Sequence, residues 1–224
     1  MPILIFLSYS HKSKKLAGEL KQGLQSFDFG VFMAHEDIKP SAQWRKEISK
    51  NLSECHVFIP VLTRGFLESD WTDQETGIAL ALKKKIIPVR VHQNPHGFID
   101  TIQAMKWKKE SSYITCWEIA DCLRTDELFT KSVREGAISA FLLANDFKKE
   151  VPYAIEKLLR FRPFSTAQLH KIIEGSSRNQ GIYGCWAART PMETLIKDAK
   201  GKVGQRVIRK YRHAVQSWDR RGRI

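Results

Sequence analysis

Ile3-Leu4-Ile5-Phe6-Leu7-Ser8-Tyr9-Ser10 decides how the first half of this chain folds. Five consecutive apolar residues closing on small polar ones read as a strand covered on both faces, not as a half-exposed one. The chain then alternates. Residues 15–27 place Leu16, Leu20, Leu24 and Phe27 at helical spacing, and residues 30–33 form a second short apolar run. Trp44, Ile48 and Leu52 recur every four residues, residues 57–62 are a third buried strand, residues 71–82 a third helix and residues 86–91 a fourth strand. A short fifth strand is expected around residues 104–107, with residues 113–117 closing the unit. Strand and helix alternating at this pitch predict an α/β fold, a parallel five-stranded sheet with helices on both faces.

In such flavodoxin-like sheets ligands bind outside the carboxyl ends of the strands. Ser8, Ser10, the loop of residues 34–43 and the segment 63–71 all belong to that edge. From about residue 121 the pattern turns purely helical, with Ser165 or Thr166 placed to cap one helix. The expected organisation is therefore an α/β domain over 1–119 and a small all-α module over 120–224.

Charge follows the same division. Residues 1–100 hold 13 Lys+Arg against 11 Asp+Glu, whereas residues 101–224 hold 24 against 13. The basic half admits nucleic acid or an acidic partner. Its last helix carries Tyr211 and Trp218 among arginines, but Val207, Tyr211, Val215 and Trp218 share one face, which favours a packed basic helix. Cys55, Cys116, Cys122 and Cys185 form no CxxC pair and no histidine completes a zinc spacing, so no metal is expected. Cys55 and Cys116 lie in apolar, strand-like runs and read as buried thiols of a reducing compartment. No apolar run reaches the 18 or so residues that span a bilayer, and residues 1–7 lack the basic flank of a signal peptide; no membrane association and a cytoplasmic location are expected. Glycine-rich phosphate loops are absent, which excludes a Rossmann dehydrogenase or a P-loop enzyme.

Three motifs in order carry a family resemblance: the strand ending Ser8-Tyr9-Ser10, the segment Val31 to Trp44 that includes His35-Glu36-Asp37-Ile38-Lys39-Pro40, and Phe66-Leu67-Glu68-Ser69-Asp70-Trp71-Thr72-Asp73-Gln74-Glu75. With them residues 3–91 resemble a TIR (Toll/interleukin-1 receptor) domain of the prokaryotic, NAD-cleaving type. Ser41 stands where a glycine often follows the proline, Thr72 where many relatives carry cysteine, and Ser10 where some carry arginine.

The resemblance implies one of two activities. One is cleavage of the nicotinamide–ribose bond of NAD+, a substrate rather than a cofactor, giving nicotinamide and ADP-ribose or a cyclic product, in anti-phage defence signalling. The other is a non-enzymatic adaptor that assembles with TIR proteins. In either case a homo-oligomer through TIR–TIR contacts is implied. The family's catalytic glutamate matches Glu75. Trp44 matches the position that offers an aromatic face to nicotinamide, with Ser10 and Trp71 lining the pocket and Asp37 bonding a ribose hydroxyl or orienting its loop.

The residues admit plainer roles as well. Thr72-x-x-Glu75 has the form of a capping box, in which Glu75 would bond back to a backbone amide. Trp44 begins the Ile48, Leu52 stripe and suits core packing; Trp71 suits packing under its helix. Ser8 and Ser10 suit a ribose or phosphate, and Ser10 or Ser13 equally a helix cap.

Overall fold

The computed structural model describes residues 2–33, 44–108 and 111–221. The chain divides into two compact units, Met1–Ile119 and Ala120–Ile224.

The first unit is a parallel sheet. Its strands are β1 (Leu4–Ser8), β2 (Gly30–Met33), β3 (Val57–Leu62), β4 (Lys85–Ile86), β5 (Val89–Arg90) and β6 (Met105–Lys106). Every pairing is parallel, in the order β2-β1-β3-β5-β6, with β4 also on β3. Residues 86–91, expected as one strand, are two. The cause is covalent. Val57 pairs with Lys85 and Val61 with Val89, a register that sets Pro60 opposite Pro88. Pro60 has no N–H to donate to that neighbour, and the Pro88 backbone faces β6, so the ladder is interrupted there.

Among the described residues the strands are flanked by helices α1 (Lys14–Gln25), α2 (Trp44–Glu54), α3 (Arg64–Leu67) and α4 (Asp70–Ala81), followed by α5 (Ser112–Arg124), within which the division between the units falls. On one face Phe6 and Phe58 pack with Ile48 and Leu52 of α2 and Ala79 of α4. Side chains alternate along a strand, so Ile5 and Leu7 serve the opposite face. There Phe27 meets Trp117 of α5 edge-to-face at 4.9 Å. Cys116 is therefore helical and not in a strand, with its sulfur packed where a Cβ on Gly23 of α1 would come within 2.5 Å. Burial pushes its thiol far up, as expected of a structural cysteine.

The second unit is helical: α6 (Thr130–Leu143), α7 (Glu150–Leu159), α8 (Thr166–Ser176), α9 (Gln180–Tyr183), α10 (Arg189–Asp198) and α11 (Gln205–Arg221). Ser165 caps α8 in a complete capping box with Gln168. The short α9 went unrecognised because one turn carries no periodicity. On α11, Tyr211 is buried and the Trp218 ring packs against Tyr183, centroids 6.2 Å apart. Its arginine Arg212 pairs with Glu193, and Arg189 of α10 pairs with Asp219. The aromatic residues face inward, as the shared face predicted. No described helix is long and apolar enough to cross a membrane.

Candidate active site

The chain returns twice to the edge where β1 and β3 end. Order β2-β1-β3 means that the connection after β1 leaves one way and the one after β3 the other, which opens a crevice between their carboxyl ends. Beyond β1 run Tyr9 and Ser10 into the 3-10 turn His11–Ser13; beyond β3 run Thr63 and α3 into α4. Ser13 Oγ donates to Thr63 Oγ1 at 2.9 Å and ties the two loops together.

Glu75 lies on the second turn of α4, only 6% exposed. Its Oε2 accepts a 2.5 Å hydrogen bond from Ser8 Oγ, the last residue of β1. Burial pushes the Glu75 carboxyl up to about 7, and the Ser8 hydrogen bond opposes that rise. The group therefore sits where both protonation states are populated at neutral pH.

The capping role anticipated for Glu75 is overturned. α4 begins at Asp70, with Ser69 in extended conformation before it, so Thr72 is already inside the helix. Its hydroxyl donates to Phe66 O at 2.6 Å and Ser69 O at 2.7 Å instead of accepting from the Glu75 amide. The helix starts earlier than the T-x-x-E pattern implies, and that rotates Glu75 onto the inward face. Ser10 and Ser13 make no side-chain cap either.

A cavity of about 710 Å³ opens beside Glu75, and Ser10, Arg45, Gly65 and Trp71 are among its lining residues. Ser10 Oγ is buried and has no hydrogen-bond partner among the described residues. A smaller recess of about 180 Å³ brings Trp44, Trp71 and Glu75 together. The two tryptophans meet edge-to-face, centroids 4.3 Å apart at 79°. Trp44 also packs on the Phe6–Ile48–Leu52 core, as its place at the head of that stripe suggested. Trp71 remains 36% exposed and lines both spaces. Asp37 lies outside the described residues. Arg45 was not recognised from sequence; its position directly after Trp44 was the available signal.

A buried carboxylate at the switch point of a parallel sheet, beside a roomy cleft with an aromatic wall, makes this edge of the α/β module the candidate ligand site. Residues 5–118 match the family profile of the TIR domain, and the chain belongs to that family. Among solved structures, the TIR domain of the Toll-related receptor TRR-2 from Hydra magnipapillata is similar, with 15% identity and a TM-score of 0.43 over 57% of this chain and 96% of that one. No curated protein matches.

Proposed function

We propose that the protein is a TIR-domain NAD+ nucleosidase that breaks the nicotinamide–ribose bond, with Glu75 as the group that stabilises the ribosyl cation. The observation that carries this reading is Glu75 itself: a carboxylate withdrawn from water, fixed by Ser8, and facing a cleft of substrate size.

The chemistry asks for little else. Nicotinamide leaves as a neutral molecule and takes the bonding pair of the C1′–N bond, so no general acid is required. Positive charge develops on C1′ and the ring oxygen, and a fixed anion beside it lowers the barrier, as carboxylates do in glycoside hydrolysis. Water then adds to C1′ and releases a proton, giving ADP-ribose; attack by a nitrogen of the adenine ring in its place gives a cyclic product. Glu75 must be ionised to act. The pyridinium of bound NAD+ favours that form, since an opposite charge nearby lowers a carboxyl pKa. Trp71, and Trp44 beside it, offer aromatic surface to the flat cationic ring. Ser10 Oγ, buried without a partner, is free to accept a ribose hydroxyl. Self-association and a defence role remain part of this proposal by family analogy alone.

The test is direct. Full-length protein at high concentration, with and without crowding agents, is incubated with NAD+ and nicotinamide is quantified. Release by the wild type and not by folded Glu75→Gln supports the enzyme. Absence of release under every assembly condition leaves the adaptor reading in its place.

A further inference from the structure

A second cavity of about 680 Å³ lies on the α1 side of the same crevice. It collects residues from the ends of four strands: Lys12 after β1, Arg64 after β3, His92 after β5 and Trp107 after β6, with Lys15 and Glu19 from α1. Backbone hydrogen bonds tie these ends together. The amides of Val91, His92 and Gln93 all converge on Leu62 O, and the Trp107 amide donates to Arg90 O at 2.8 Å.

Three cations face one carboxylate here. Among the described residues, Lys15 and Arg64 have no acidic partner, and Lys12 reaches only Glu68, at 3.3 Å with side chains 80% and 65% exposed. Exposed pairs of that kind contribute little and yield readily to a stronger anion. Trp107 supplies a half-buried aromatic surface, and base-on-aromatic stacking is tolerant of base identity. The volume falls within the range of sites for single small ligands. Cations around one end and a flat ring at the other suit a phosphorylated nucleoside.

We propose that this cavity binds a nucleoside diphosphate group, with the phosphates on Lys12, Lys15 and Arg64 and the base on Trp107. It shares Lys12 and Gly65 with the cavity beside Glu75. Gly65 packs closely on Ser10 at this border: a Cβ there would lie 2.6 Å from Ser10 Oγ. The two cavities border on the same residues, and on the NAD+ reading the ligand here is the distal half of the substrate. That link rests on the function proposed above; the binding site does not.

ADP is the probe, titrated into the full-length protein by calorimetry at low and at physiological salt. Saturable binding that weakens with salt, and that falls at least ten-fold in Lys15→Ala/Arg64→Ala and several-fold in Trp107→Leu, supports the site. Both cations are exposed, so the variants should keep the wild-type circular dichroism. Absence of ADP binding at millimolar concentration, or unchanged binding in the double variant, overturns it. Two kinetic arms separate the sources. If the site holds the far end of NAD+, ADP competes with NAD+, and the double variant raises KM for NAD+ but not for nicotinamide mononucleotide. If it holds a free nucleotide, ADP changes kcat without competing. Should no NAD+ be cleaved at all, the Glu75 reading fails while the calorimetry still decides this proposal.

Discussion

Ser8 Oγ donates to Glu75 Oε2 at 2.5 Å across 67 residues of sequence, joining the end of the first strand to the second turn of α4. The bond holds the carboxylate in one place and partly offsets the cost of burying it. Fixed geometry with a tuned proton affinity is what charge stabilisation requires.

Glu75→Gln keeps the shape and the acceptor for Ser8 but removes the charge. Nicotinamide release should fall on the order of 10²–10³-fold, in line with the loss of one preorganised electrostatic contact. A folded variant of undiminished activity would falsify the assignment.

Activity should depend on the ionised carboxylate. With the Glu75 carboxyl pushed up to about 7, kcat/KM should rise with pH and level off above that value. Ser8→Ala removes the contact that opposes the rise, so its profile should move to higher pH. At pH 7 it should lose roughly ten-fold and recover in alkaline buffer. A pH-independent loss would mean that Ser8 acts only on position.

Stability should run in the opposite sense. The Glu75 carboxyl ionises near 4.5 when unfolded and near 7 when folded, so between those values the folded state holds the proton more tightly. Stability contributed by this group is complete below pH 4.5 and falls by about 3 kcal/mol as pH rises to 7. Glu75→Gln should therefore melt progressively higher than the wild type across that interval, with a constant difference above it. Thermal unfolding from pH 4.5 to 8 checks this, and a difference that shrinks with rising pH would contradict it.

Thr72 separates support from chemistry. Its buried hydroxyl bonds two carbonyls where α3 meets α4. Thr72→Val should cost roughly 1–2 kcal/mol, a few degrees in Tm. At temperatures where the variant remains folded, nicotinamide release should stay within about two-fold of the wild type, because the hydroxyl bonds backbone carbonyls and not Glu75.

Gly65→Ala places a Cβ 2.6 Å from Ser10 Oγ and 3.3 Å from Ser10 Cβ. Ser10 must give way, and it lines the cleft. KM for NAD+ should rise roughly five- to ten-fold with kcat little changed, since the disturbance falls on binding and not on Glu75. Steady-state kinetics read the split.

Much of the fold was legible in the linear pattern because the hydrophobic period is a local property. The apolar runs at Leu4–Ser8 and Val57–Leu62 are short and bounded by polar or turn residues, which favours buried strands, and the stripes on α1 and α2 follow the helical period. Where local rules conflicted they misled. Thr72 and Glu75 satisfy a capping pattern, yet α4 starts at Asp70 and the pattern goes unused. Cys116 reads as part of a strand run and lies on a helix, because an apolar stretch buried on all sides looks the same in either state.

The sequence by itself determined the strand and helix alternation, the residues of the core, the inward face of α11 and the family to which residues 5–118 belong. Only the tertiary structure decided what surrounds Glu75. Its partner is Ser8, no local signal links residues so far apart, and the shift in its proton affinity comes from burial, which depends on the packed surroundings. The same holds for the cluster of Lys15, Arg64, His92 and Trp107: the segments that follow four separate strands meet there because parallel strands deliver their carboxyl ends to one edge.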